Sequence, residues 1–478
     1  MSAVNPQTTD ACCAASADEC ADVNASCRLP VLSLFLGAAF WLVVSSIFAL
    51  IASIKFHAPN FLADCAWFTY GRVHAAHLNA LAYGFAAQAG LGVTLWLLAQ
   101  TGKTKLALPG GSIIAAKLWN IGVLVGVGSI LAGNNTGFDW LEFSQAGSII
   151  LFIAYLILAL AGVLTFARRT EKNGCVSQTF LLTALFWFPW IFVTANTLLG
   201  CAPVRGVTQS VIAWWFANNF LFVWLALISL GALFHFAPKF AGRPLHSRQL
   251  ALFALAILIS FGSWAGIPAS APVPAWIPAL SAFGAFMSVV AVLAALVNIK
   301  QTVGKCLCTR SEPVPRFFGI SAWSLGLFAL GNAAVACTHG ADALNFTLFV
   351  PALNYLLLYG FVGMVLLGAI YHIAPQLTGS EYFCTKPITI HFWFAVSGVA
   401  LLVGSLVIGG IHQGGLLKVA GIPFMGVMID AVSYLRFSTL GDLLILLGSL
   451  TLVVNLGGLL RGCCKNCCGK SENAEVKK

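Results

Sequence analysis

Between residues 31 and 460 the chain is a succession of apolar runs broken by short polar stretches. Each run is long enough to cross about 30 Å of hydrocarbon as a helix. They predict twelve transmembrane helices, at roughly 31–54, 73–99, 110–133, 146–167, 177–199, 208–236, 248–268, 272–298, 317–337, 346–373, 388–410 and 437–460. Only the Pro-rich stretch Ile267-Pro-Ala-Ser-Ala-Pro-Val-Pro-Ala-Trp276 separates the seventh from the eighth. Proline lacks a backbone donor and breaks helix geometry, so a turn is expected there. No run is broken repeatedly at its middle, and no inverted repeat of the transporter kind stands out. The chain divides into a polar tail (1–30), a twelve-helix domain (31–460) and a Cys/Lys-rich tail (461–478).

Composition fits the pattern. Of 478 residues, 59% are hydrophobic and 8% charged, with mean hydropathy +0.91. A soluble domain keeps about a quarter of its residues charged. The fold class is therefore an all-α polytopic membrane protein, and fibrous, disordered, secreted disulfide-rich and nucleic-acid-binding classes fit poorly. The net charge of +10 suggests nucleic acid until the basic residues are placed. Nineteen Lys and Arg fall on the side holding both termini; five (Lys55, Arg72, Arg205, Lys418, Arg436) fall opposite, and Lys117 lies within a run. The excess marks the cytoplasmic side, so both termini are expected there. Residues 1–30 carry Asp10, Asp18, Glu19 and Asp22 and no apolar core, unlike a signal peptide.

Ionisable groups inside a span are costly and are the first candidates for function. They are His74, His77, Lys117, Asp430 near an outer end, and Asp442 at the start of the last run. His74 and His77, three residues apart, share one face of the second helix. One can be a hydrogen-bonded interior histidine with the other at the headgroups, or one can ligate haem iron. Lys117 can snorkel; it or Asp442 can instead relay protons. Cys12, Cys13, Cys20 and Cys27 lie in the first tail; Cys463, Cys464, Cys467 and Cys468 follow the last run. The second group is a double CxxC open to three readings: reduced thiols without a role, zinc, or acylation.

Tyr70-Gly-Arg-Val-His-Ala-Ala-His-Leu-Asn-Ala80 resembles the haem-ligating start of the second helix in subunit I of cbb(3)-type cytochrome c oxidases, the C-family of haem-copper oxidases. Also similar, in order and spacing, are Gly206-Val-Thr-Gln-Ser-Val-Ile-Ala-Trp-Trp215, Pro238-Lys-Phe-Ala-Gly-Arg-Pro244, Ser263-Trp-Ala-Gly266, Tyr371-His-Ile-Ala-Pro375 and His391-Phe-Trp393. The resemblance covers about residues 31–460 and implies the family's twelve helices, a bacterial inner (cell) membrane, and partners among membrane-anchored c-type cytochromes and small membrane subunits.

The family's chemistry uses six histidines and a tyrosine, and the resemblance assigns each a position. His77 matches an axial ligand of the low-spin haem. Asn218 stands where a copper ligand is expected, and Ile267-Pro-Ala-Ser-Ala-Pro272 holds neither remaining copper ligand. Gly262 takes the tyrosine position; Leu353 and Tyr355 take those of the two other haem ligands. One ligand of six is kept. The resemblance thus leaves at most one haem b, on His77 alone or with Tyr355 opposite, and no copper. A degenerate partner of an electron-transfer complex is expected. A divergent oxidase or nitric-oxide-reductase-like enzyme would need new ligands, with no carboxylate expected in the spans near them. A transporter could use the vacated cavity through Lys117 and Asp442, but Leu353, Tyr355 and 36 phenylalanines predict that the haem volumes are refilled.

Overall fold

The computed structural model describes residues 17–172, 174–304, 307, 310–337, 344–382 and 384–475, with side chains described from 21 to 462. Its helices are α1 (Ala17–Lys55), α2 (Tyr70–Gly102), α3 (Pro109–Ala132), α4 (Gln145–Ala167), α5 (Val176–Cys201), α6 (Val207–Ala241), α7 (Arg248–Trp264), α8 (Trp276–Val303), α9 (Pro313–Ala336), α10 (Phe349–Thr378), α11 (Lys386–Leu417) and α12 (Phe424–Glu475). Eleven are long and apolar enough to cross a membrane. The twelfth, α7, is shorter: its α-helix stops at Ser260 and a 3₁₀ turn, Gly262–Trp264, completes it.

Three helices form the centre. The most apolar stretches of α2 and α6 are wholly buried and that of α10 nearly so. Polar groups on a spanning helix turn away from lipid, and α2 buries His77, Asn79 and Gln88 while α6 buries Asn219 and Ser229. Each of the three changes from α to π winding partway, at Ala80–Ala87, Asn219–Trp224 and Leu356–Gly363. Such π turns often mark functional sites. His77, Asn218, Leu353 and Tyr355 all lie within the turn before one of these segments.

The outer helices join through small and hydroxyl residues. Gly441 of α12 lies so close to α11 that an added Cβ would meet Leu402 N at 2.6 Å and Gly398 O at 2.8 Å. Close backbone approach through glycine is how membrane helices gain packing contact without a hydrophobic drive. On its other side α12 meets α1 through Ser53–Thr439 (2.8 Å) and Ser46–Ser449 (3.1 Å).

Two expected boundaries move. α1 begins at Ala17, within the stretch read as a polar tail, and continues through Pro30 with Cys27 fully buried. α12 begins at Phe424, so Asp442 lies well inside a helix and does not open one. The first turns of α12 pack against α11, where a Cβ added to Gly409 would meet Tyr434 Cβ at 2.9 Å. Cys12 and Cys13, and the side chains of Cys20, Cys463, Cys464, Cys467 and Cys468, lie outside what is described.

Candidate functional site

His77 sits two turns into α2 and is 1% exposed. Its Nδ1 lies 3.0 Å from Ser45 Oγ and 3.1 Å from the Ser45 carbonyl, both on α1. Its Nε2 is buried with no partner. Anchoring one ring nitrogen and freeing the other is how proteins present a histidine to a metal. The space in front of it decides otherwise. The Tyr355 ring lies 5.8 Å from that of His77, and Tyr359 follows at 6.5 Å, stacked at 18°. A cavity of about 20 Å³ remains between α1, α2, α10, α11 and α12, lined by Tyr359, His391 and Ser449 among others. Ligand sites of drug size need roughly 300–1,000 Å³, and a porphyrin is no smaller. The residues supply one ligand for a haem but not its room.

The other predicted positions meet elsewhere. Asn218, Leu353 and Gly266-Ile267 line a chamber of about 530 Å³ with Phe222, Phe328 and Asn354. Its lining is mostly apolar and includes the amides of Asn218, Asn332, Asn345 and Asn354, the hydroxyls of Ser281 and Thr347, and the carboxyl of Asp139. Asn218 Nδ2 donates to the Gly262 carbonyl at 2.9 Å, and Asn219 Nδ2 donates to the Ser263 carbonyl at the same distance. These amides close α6 onto the end of α7. Gly266 must be glycine here: φ is +103° and a Cβ would lie 2.6 Å from Asn218 Cβ. The chamber has the volume for a large planar group, but its described lining offers amides, hydroxyls and one carboxylate, with no imidazole or thiolate. That donor set does not fit copper or an axial haem ligand. The sequence predicts refilling of both haem volumes; in the structure the Tyr355 and Tyr359 rings pack beside His77, and a chamber stays open beside Leu353.

Two expectations about charged groups fail. Lys117 is exposed on the same stripe of α3 as Ile114, Ile121 and Leu124, facing outward from the bundle. It cannot serve an interior path. Asp442 is 6% exposed, contacts Ser53, and feels Tyr355 and Tyr359 electrostatically, so a carboxylate does lie in the spans near His77.

A second carboxylate has no counterpart among the sequence candidates. Glu142, in the loop before α4, is 5% exposed and accepts from Asn79 Nδ2 at 2.7 Å. Burial pushes its carboxyl up to about 7, against the pull of the Asn79 bond. Tyr83 Oη donates to the Trp140 carbonyl at 2.7 Å, clasping this loop to α2. A glutamate in a short loop carries no periodicity that would single it out; the Trp and Phe residues flanking it are the one hint the sequence holds. Among the described residues, no three His, Cys, Asp or Glu side chains converge as a metal site.

This fold, with its central α2, α6 and α10, is that of subunit I of haem-copper oxidases. Residues 30–444 match the family Cytochrome C and Quinol oxidase polypeptide I, and the chain belongs to it. It is 25% identical over 362 residues to the Cbb3-type cytochrome c oxidase subunit CcoN1 of Stutzerimonas stutzeri, covering 73% of this chain and 76% of that one. Against cytochrome c oxidase subunit 1 of Rhodobacter capsulatus the identity is 23%, covering 88% and 83%. A cytochrome c oxidase subunit 1 homolog from Agrobacterium tumefaciens is 23% identical, covering 79% and 72%. A haem-copper terminal oxidase dimer solved by cryo-EM shares the fold at a TM-score of 0.67 and 14% identity, covering 92% of this chain and 84% of that chain. The resemblance drawn from the sequence motifs is thus correct, and the chain is an integral membrane protein.

Proposed function

We propose that this chain is a subunit-I homologue that works within a respiratory electron-transfer complex and does not itself reduce oxygen. Its partners are membrane-anchored c-type cytochromes and small membrane subunits. The bond from Asn218 to the Gly262 carbonyl carries this reading. By resemblance it joins a copper-ligand position to the tyrosine position, and it uses both for structure. Leu353, the third such position, offers an alkyl group to the same chamber. Fold alone does not confer the family's chemistry when the groups that perform it are replaced.

At most one b-type haem belongs to the chain, at His77, and it would require Tyr355 and Tyr359 to turn away. The test is a pyridine haemochrome assay with metal analysis on the purified protein, beside His77→Ala. Copper and haem well below one per chain are expected. About one haem, lost in the variant, would make the chain a one-haem carrier. Two haems with copper would restore the oxidase and end the proposal.

A further inference from the structure

We infer that the chamber beside Leu353 is a binding site for an amphipathic organic ammonium ion, one with an aromatic body and a hydrogen-bonding oxygen, whose charge Asp139 holds. This goes beyond the proposed function and needs no partner complex.

The chamber lies toward the end of the bundle opposite the start of α1 and the end of α12. Three connections at that end reach it. The α3–α4 loop brings Asp139 and Trp140, the α7–α8 loop brings Gly266 to Ala269, and the segment before α10 brings Asn345, Phe346 and Thr347. Each enters the left-handed backbone region where it does so: φ is +67° at Trp140, +103° at Gly266 and +62° at Phe346. Of the five non-glycine residues described at positive φ, two line this one chamber. A Trp or Phe keeps such a conformation only where its surroundings enforce it, and residues strained in this way gather at ligand sites. The enforcing bonds are present. Tyr83 Oη donates to the Trp140 carbonyl at 2.7 Å, and Thr136 Oγ1 to the Leu141 carbonyl at 2.8 Å. Beside Phe346, Thr347 Oγ1 donates to the Leu344 carbonyl at 2.7 Å, and the Leu348 amide donates to Gln413 Oε1 at 3.0 Å.

The lining sets the chemistry of the ligand. No Lys, Arg or His is among the described lining residues, so Asp139 has no counter-charge in the chamber. Partly exposed, its carboxyl is still raised by desolvation above the usual carboxylate value, with no cation to offset the effect. An ammonium group beside it supplies the missing charge. Trp140, Trp214 and Phe346 border the same space, and aromatic faces attract cations and stack on flat bodies. Phe222, Phe328 and Leu353 offer apolar surface to the rest of the ligand. Asn345 Nδ2 is buried with no partner, so a ligand oxygen that accepts from it satisfies an orphaned donor. A volume of about 530 Å³ suits a small molecule of this kind. A lipid chain would answer neither Asp139 nor Asn345, and an anion would meet Asp139 as a like charge.

The test uses the purified full chain in phosphatidylcholine nanodiscs and three probes that share one phenol body and differ in charge. They are tyramine, tyrosol and para-hydroxyphenylacetate. Calorimetric titration, with empty nanodiscs as the blank, should show tyramine binding about fivefold tighter than tyrosol, the size expected of a partly exposed ion pair. The anion para-hydroxyphenylacetate should bind weakest. Asp139→Asn changes the charge and keeps the size, and it should erase the preference for tyramine over tyrosol. Asn345→Ala should weaken both by a similar factor, because Asn345 serves the oxygen they share. Lys117→Gln, on the outer surface, should match the parent. Binding of none of the three probes overturns the site, as does equal affinity for tyramine and tyrosol. A preference that survives in Asp139→Asn overturns it too. Should that variant fail to fold, unchanged affinities in Asn345→Ala overturn it equally.

Discussion

Asn218 Nδ2 donates a 2.9 Å hydrogen bond to the carbonyl of Gly262. By family resemblance these two positions would carry a copper ligand and the active-site tyrosine, yet here they form a staple between two helices. The neighbouring Asn219 repeats the arrangement one residue on, donating to Ser263 and accepting from Trp187 Nε1 at 3.2 Å.

The staple makes a stability prediction. Asn219→Ala leaves the Ser263 carbonyl and Trp187 Nε1 without a partner in a buried setting. A cost of about 1–3 kcal/mol follows from unsatisfied groups, toward the lower end because membrane hydrogen bonds average nearer 0.6 kcal/mol. Thermal melts of the detergent-solubilised protein should show a lowered Tm. An unchanged Tm would mean that the amides do not hold α6 to α7.

Copper should not return with one residue. In Asn218→His the imidazole would face Gly262 and Ile267–Pro272, where no other soft or borderline ligand stands. A single imidazole does not hold copper against exchange. Metal analysis after copper loading and desalting should find far less than one copper per chain.

Gly266 tests the shape of the chamber wall. Its φ of +103° and the 2.6 Å approach to Asn218 Cβ exclude a side chain. Gly266→Ala should cost about 1–3 kcal/mol, the range for a residue forced into a sparsely populated backbone region, and should lower the yield of folded protein on size exclusion. Gly415→Ala, with nothing within 4 Å of its added Cβ, is the control and should behave as the parent.

Glu142 predicts a pH dependence. Its carboxyl is raised from 4.5 to about 7 by burial, outside the spans. Between those values the folded chain holds a proton that the unfolded chain has released, so stability falls as pH rises from about 4.5 to 7. The neutral carboxyl is the favoured folded form. The span of the shift sets an upper bound of about 3 kcal/mol for the group. Tm measured from pH 5 to pH 8 should decline in the parent, and Glu142→Gln should flatten that decline. A parent profile no steeper than the variant's would show that Glu142 is solvated.

The sequence specified the membrane class, the number of helices and the family. Each of these follows from local quantities: the length and apolarity of a run, or short motifs such as Tyr70–Ala80 and Tyr371–Pro375. Transfer of an apolar run into lipid does not depend on which helix stands beside it. The altered ligand positions are what the family resemblance implies for residues in a register, and they stand with the proposed function. What the sequence left open depends on neighbours distant in the chain. It gave no sign of the π segments that follow His77, Asn218 and Tyr355, because winding responds to packing. Nor could it say that tyrosines would pack beside His77 while a chamber of about 530 Å³ opens beside Leu353. Lys117 and Asp442 look alike as charges in apolar runs. Only tertiary packing put one on the outer surface and the other against α1, since a helix face is buried by the partner it meets and not by its own composition.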